Sequence, residues 1–327
     1  MLEHGGRLLR AAHRYGIAPT DWLDLSTGIS PFAWPVPPVP ASAWHRLPDD
    51  DDGLIEVARE YYGTSSLLPI AGSQAAIQAL PLLRERSRVG ILAPGYAEHA
   101  HAWCSRGHAV ETLPAAELLA QEARLDVILL IHPNNPAGDL FERDALLSLH
   151  ATLSARGGWL IVDEAFVDAT PERSLCDAVG RDGLIVLRSI GKFFGLAGAR
   201  AGFACAVPTL LDALRERLGP WTLSGPSRHV LKLALADRDW QGQARVRLHA
   251  SSARLGALLP MHGLAVSAGC AFFQWCCDDR ADALHEVLAT RGILTRVFDT
   301  PASLRFGLPA DDAAFARLER ALHEVTR

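Results

Sequence analysis

Lysine is almost absent from this 327-residue chain. Only Lys192 and Lys232 occur among 32 basic residues. Arginine supplies the rest, so each remaining amine calls for a chemical reason. Acidic residues number 37, giving a formal net charge of −5. A surface that grips nucleic acid carries the opposite imbalance, so nucleic acid is not expected as a partner. No apolar run approaches the ~18 residues that span a membrane. The start, Met1-Leu-Glu-His-Gly-Gly-Arg7, lacks a charged segment followed by an apolar one, and no secretory leader is expected. Six cysteines (Cys104, Cys176, Cys205, Cys270, Cys276, Cys277) form no C-x-x-C pair. They read as small, buried or semi-exposed free thiols of a reducing, cytoplasmic compartment. The 13 histidines show no H-E-x-x-H or H-x-x-H cluster, so no metal site is expected.

What is present is an ordinary soluble composition, 49% hydrophobic and 21% charged. The length suits one large domain or two unequal ones. A proline-rich stretch, Pro31–Pro40, cannot be helix or central strand and reads as an extended connector. An acidic run, Asp49–Asp52, precedes helical spacing over Leu54–Tyr62 and reads as a solvated helix N-terminus. From residue 67 short apolar runs alternate with helical patterns. Strands are expected at Leu67–Ala71, Val89–Ala93, Asp126–His132, Gly158–Asp163, Leu184–Arg188 and Ala201–Ala206. Val127-Ile-Leu-Leu-Ile131 is apolar on both faces, which suits a central strand covered by helices. The alternation predicts an α/β domain with a mostly parallel sheet. After about residue 208 long helices lead into short strands and a final amphipathic helix at Asp311–Val325, as in a smaller α+β domain. The expected division is an N-terminal arm at 1–44 joining the small domain, a large domain at 45–208 and a small one at 209–327.

Chemistry concentrates in Leu187-Arg-Ser-Ile-Gly-Lys-Phe-Phe-Gly-Leu-Ala-Gly-Ala-Arg200. Lys192 leaves a strand among small and apolar residues, where desolvation disfavours the ammonium form, as a Schiff-base lysine needs. Ser189 lies three residues before it and Arg200 eight after. An amine, a hydroxyl and a guanidinium together suit pyridoxal phosphate, which carries both an aldehyde and a phosphate. Gly72-Ser73-Gln74 stands at a strand-to-helix turn, where a phosphate is favoured. Asp163 ends a buried strand and needs a partner, which a protonated pyridine nitrogen would supply. Asn135, in His132-Pro-Asn-Asn-Pro136, can reach a ring hydroxyl. Taken singly, each is also an ordinary cap, turn or strand end.

Their order along one chain resembles the fold-type I, aspartate aminotransferase-like pyridoxal-phosphate enzymes of the class I/II branch. The likeness covers nearly the whole sequence. It implies an α/β fold with a large cofactor domain built on a mostly parallel mixed sheet, a smaller α+β domain and a homodimer. It also implies roles. Lys192 would bind the aldehyde and Asp163 the ring nitrogen. Asn135 would bond the phenolic oxygen and Tyr96 would stack on the ring. Gly72, Ser73, Gln74, Ser189 and Arg200 would surround the phosphate. His99, one helical turn beyond Tyr96, could support Asp163. Arg305, in Ser303-Leu-Arg-Phe-Gly307, would grip the substrate α-carboxylate.

His4-Gly-Gly6, Trp22–Pro31, Asp163-Glu-Ala-Phe166 and the Lys192 segment resemble the cobalamin-biosynthesis branch related to L-threonine O-3-phosphate decarboxylase. Its near relatives are the histidinol-phosphate aminotransferases. The resemblance implies a phosphorylated amino acid as substrate, decarboxylated to (R)-1-amino-2-propanol O-2-phosphate. His4, Gly5, Gly6, Ser30 and Asn135 would contact it along with Arg305. Four departures bear on this. Ser30 stands where relatives have Asn, Leu47 where they have a Tyr that reaches the partner subunit, Phe166 where many have Tyr, and Gly191 where others have Ser or Thr. Transamination of a phosphorylated amine such as histidinol phosphate remains an alternative, and a non-catalytic cofactor-binding scaffold a remote one.

Overall fold

The computed structural model describes residues 4–325. The chain divides into two compact units. The larger comprises residues 33–135 and 139–242, the smaller 1–32, 136–138 and 243–327.

The larger unit is organised by a seven-stranded sheet. Its strands are β1 (Leu67–Ile70), β2 (Arg88–Leu92), β3 (Ala109–Leu113), β4 (Val127–Ile131), β5 (Trp159–Asp163), β6 (Leu184–Ser189) and β7 (Gly202–Cys205). Their order is β1-β7-β6-β5-β4-β2-β3. Strand β7 is antiparallel to both neighbours, and the other pairings are parallel. Every residue of β4 is buried, as expected of a strand covered on both faces. Ile70, Val89, Ile91, Val127, Leu129, Ile161 and Ile185 share one core cluster with Ala76 and Ile77 of the helix Ser73–Ala79 and Trp103 of the helix Ala97–Ser105.

Strand β3 was not expected from the sequence. It is an edge strand whose residues are exposed or half-buried, so Ala-Val-Glu-Thr-Leu carries little apolar signal. The acidic run is exposed at Asp49–Asp51, as read, and departs from that reading at Asp52, which is half-buried and paired. Asp52 and Asp50 receive hydrogen bonds from the buried Arg228 guanidinium, at 2.7 and 3.1 Å. Burial alone would push the Asp52 carboxyl up. The Arg228 hydrogen bond and the Leu54 N–H outweigh it and hold the group below its usual range. Lys232, the second lysine, donates to the Asp52 carbonyl at 2.7 Å, so its amine is structural. The start of the proline-rich connector is pinned to this unit. Trp34 is buried, its N–H bonds Phe194 O at 2.9 Å, and its indole bonds Asp237 at 3.0 Å.

In the smaller unit a four-stranded antiparallel sheet takes the order Arg296–Asp299, Ala302–Gly307, Phe273–Cys277, Ala268–Cys270. A short parallel pair joins Leu23–Asp24 to Ile293–Leu294. Ala11, Ala12 and Trp22 pack with Ala289 and Leu294, which ties the N-terminal helix Leu8–Tyr15 into this unit. All six cysteines are free. Cys104 and Cys277 are exposed and Cys270 is half-buried, whereas Cys176, Cys205 and Cys276 are buried. Among the described residues no helix is long and apolar enough to cross a membrane, and no group of side chains could hold a metal ion.

Candidate active site

Ligands of open α/β sheets bind beyond the carboxyl ends of parallel strands. In the larger unit the sequence-predicted residues gather there. Asp163 is the last residue of β5 and is buried. One carboxylate oxygen accepts the Ala165 N–H at 3.0 Å, and the other meets His99 Nε2 at 2.9 Å. His99 is itself buried on the helix Ala97–Ser105. The carboxylate is thereby held from two sides before any ligand is considered.

Strand β6 ends at Ser189, and the turn Ile190–Phe193 that follows carries Lys192. The lysine is half-buried, and its amine lies 5.4 Å from the centroid of the Phe166 ring, over its face. Burial of Ile190, Gly191 and Phe193 around it gives the apolar setting expected from the sequence.

Gly72 lies between β1 and the helix Ser73–Ala79 with φ 74° and ψ 160°, a conformation essentially restricted to glycine. A Cβ there would stand 3.0 Å from Arg200 Nη2, so the missing side chain leaves a concave site against the guanidinium. Arg200 is held at φ 47° at the end of the turn Ala197–Ala199. Gly202 makes the assembly possible. A Cβ there would stand 2.3 Å from Arg188 O and 3.2 Å from Ser73 N, so a larger residue would part β7 from β6 and from the Ser73 turn. Tyr96 donates to Gln74 Oε1 at 3.3 Å, and Gln74 Nε2 donates to Glu98 at 3.1 Å. Burial, then the charges of Glu98 and Asp163, push the Tyr96 phenol up to about 12, so it stays protonated. Asn135 follows β4 and is half-buried, with its N–H on Asn134 Oδ1 at 2.7 Å. Asn134, missed in the sequence, braces this loop through Pro94 O and Asp139 Oδ2.

The remaining predicted residues belong to the smaller unit. Arg305 is buried there. Its Nη2 donates to Ser26 O at 2.6 Å and its guanidinium lies over the Phe273 ring. Desolvation, then the neighbouring Arg296 charge, lowers its pKa to about 10. Gly6 N–H donates to Ser26 Oγ at 2.8 Å, so the N-terminal glycines and Arg305 meet at Ser26. His4 and Gly5 line a cavity of about 640 Å³ together with Arg7, Arg10, Ser26 and Arg296. Arg296, missed in the sequence, is the strand partner of Arg305. Only the register distinguishes it from the many other arginines. The Ser30 hydroxyl is engaged by its own turn, accepting the Phe32 N–H at 3.2 Å.

Over residues 44–322 the chain matches the family described as aminotransferase class I and II. It belongs to that family. Within it, the chain is 59% identical over 322 residues to a threonine-phosphate decarboxylase of Pseudomonas aeruginosa, covering 98% of this chain and 97% of that protein. It is 43% identical to a second protein of that name from a Sinorhizobium species, covering 98% and 97%. A crystal structure of histidinol-phosphate aminotransferase from Sinorhizobium meliloti in complex with pyridoxal-5'-phosphate superposes with a TM-score of 0.86 at 21% identity. It covers 100% of this chain and 95% of that one. At that identity the likeness concerns the fold, and the α/β architecture read from the sequence is that of the family.

Proposed function

We propose that the protein is a pyridoxal-phosphate-dependent decarboxylase. Its substrate is L-threonine O-3-phosphate and its product (R)-1-amino-2-propanol O-2-phosphate, a step of cobalamin biosynthesis. The observation that carries this reading is the near-full-length likeness to proteins named threonine-phosphate decarboxylase. The residues present fit the cofactor. An amine stands in an apolar turn, a buried carboxylate is braced at a strand end, and a glycine cradle faces a guanidinium.

When bound, the cofactor supplies an electron sink for the pair left at the α-carbon by departing CO₂. Lys192 Nζ would hold the cofactor aldehyde and would be the group placed to carry a proton to the α-carbon. Asp163, fixed by His99 and the Ala165 N–H, keeps a proton on the ring nitrogen. Asn135 bonds the phenolic oxygen and Tyr96 covers the ring. Gly72, Ser73, Gln74, Ser189 and Arg200 surround the phosphate. Arg305 takes the substrate carboxylate. His4, Gly5, Gly6 and Arg296 would take the substrate phosphate, while the Ser30 hydroxyl is held by its own turn. A substrate with two anionic groups matches two paired arginines on adjacent strands. Holding both groups would fix the orientation of the substrate's α-carbon, an orientation effect.

The larger unit leaves Trp44, Leu47 and Trp221 exposed at 67%, 68% and 59%. The homodimer that the family resemblance implies is proposed with these side chains as candidate interface residues. The free thiols support a cytoplasmic location. The test is incubation of cofactor-loaded protein with L-threonine O-3-phosphate. Formation of the aminopropanol phosphate is expected, and its absence with cofactor bound overturns the reading.

A further inference from the structure

Behind the strand ends that carry Asp163 and Lys192 lies an ion cluster with no access to water. Arg188, Glu164 and Asp168 are each no more than 2% exposed. Arg188 Nη1 donates to Glu164 Oε2 at 2.6 Å and to Ser174 Oγ at 3.0 Å, and Nη2 donates to Asp168 Oδ1. The Glu164 carboxylate also receives the Ser174 hydroxyl at 2.6 Å and the Leu175 N–H at 2.7 Å. Asp168 accepts the Tyr61 hydroxyl at 2.8 Å, and the guanidinium lies over the Tyr62 ring at 4.6 Å.

Stability alone is a poor reason for such a cluster. Taking three ions out of water costs several kcal/mol apiece, and apolar residues of similar volume often serve stability as well or better. Its place in the chain is informative. Glu164 follows Asp163 directly, and Arg188 precedes Ser189 directly. Asp163 pairs with Leu187 in the β5–β6 register, and Glu164 N–H closes the next rung on Leu187 O at 2.9 Å. Successive residues at a strand end point to opposite faces. Glu164 and Arg188 therefore join on the face opposite to Asp163 and Ser189. Through Asp168 the same guanidinium also takes hold of the turn that follows Phe166.

We propose that Arg188 is a positioning residue. By gripping Glu164 and Asp168 behind the sheet, it fixes the separation of the Asp163 carboxylate from the Lys192 amine. This rests on reading those two groups as the cofactor's ring-nitrogen and aldehyde partners. A site that loosens by about 1 Å can lose about a hundredfold in rate without losing its residues. The cluster guards against that loosening from outside the site.

The decisive variant is the triple change Glu164→Gln, Asp168→Asn and Arg188→Met, which removes all three charges and keeps the volume. Three quantities are read on purified protein: the pyridoxal phosphate dissociation constant, the pH midpoint of the bound cofactor's absorption change, and the kcat against KM split. The expected result is a thermal midpoint near wild type with cofactor binding weaker by about tenfold. The absorption midpoint is displaced, and kcat falls more than KM rises. A folded triple variant with wild-type affinity and wild-type midpoint overturns the proposal, because a purely structural cluster would leave both unmoved. If the triple variant does not fold, Glu164→Gln and Tyr61→Phe decide. Each should displace the same midpoint with a weakening of about threefold, and no displacement in either overturns it. Borohydride reduction of wild type checks the underlying reading separately. A reduced cofactor absent from Lys192 strikes the cofactor assignment itself, whatever the variants show.

Discussion

His99 Nε2 and Asp163 Oδ2 meet at 2.9 Å across 64 residues of sequence, both buried. With Asp163 ionised the imidazole is the donor. Removing it leaves a buried carboxylate oxygen short of a partner, a loss of ~1–3 kcal/mol. His99→Phe should therefore weaken pyridoxal phosphate binding by about tenfold and shift the bound cofactor's absorption, with the fold retained. Spectral titration checks it, and unchanged affinity and spectrum would count against the role.

Gly72→Ala should act through the phosphate cradle. The φ 74°, ψ 160° conformation costs a residue with a side chain ~1–3 kcal/mol. The new methyl also stands 3.0 Å from Arg200 Nη2. Cofactor affinity should fall about tenfold or more, whereas Gly53→Ala, at another positive φ with open space around it, should cost some stability and leave affinity alone. Equilibrium binding of the two variants separates the outcomes.

His132 links stability to acid. It is buried, and its Nδ1 accepts the Phe141 N–H at 3.3 Å. Desolvation, then the Arg173 charge, lowers its pKa to about 4. A base whose pKa is lowered by folding contributes fully above its unfolded value and loses that contribution as pH falls toward the folded one. Between about pH 6.5 and 5 the loss should be roughly 2 kcal/mol. Urea unfolding at the two pH values should show it, and His132→Gln should flatten that part of the profile.

The two arginines of the smaller unit should separate by substrate. Arg305→Gln should cut kcat/KM for L-threonine O-3-phosphate by about 100-fold, the order lost when one partner of a buried charge pair is removed. Arg296→Gln should raise KM for the phosphorylated substrate by about tenfold and affect L-threonine far less. Equal effects of Arg296→Gln on both substrates would remove it from the phosphate site.

Much of this site was legible because its residues end strands that have a strong apolar signature. Val127–Ile131, Ile161–Val162 and Leu184–Leu187 mark buried parallel strands, so Asn135, Asp163, Ser189 and Lys192 fall naturally at their carboxyl ends. The scarcity of lysine narrowed the search for the amine to two residues. Long-range pairing carried no such signal. Arg296 is picked out only by its register with Arg305. The Arg188 cluster joins four segments, none with a local pattern that betrays it. In an acidic run that is otherwise exposed, Asp52 is paired with Arg228, 176 residues away, and no local pattern announces it.

The measurement closest to the central claim offers the cofactor-loaded protein L-threonine O-3-phosphate labelled at its carboxyl carbon, and separately histidinol phosphate, each with 2-oxoglutarate. Labelled CO₂ from the first substrate, with no glutamate formed from either, is the expected result. Glutamate formation without CO₂ would contradict it and make the protein an aminotransferase.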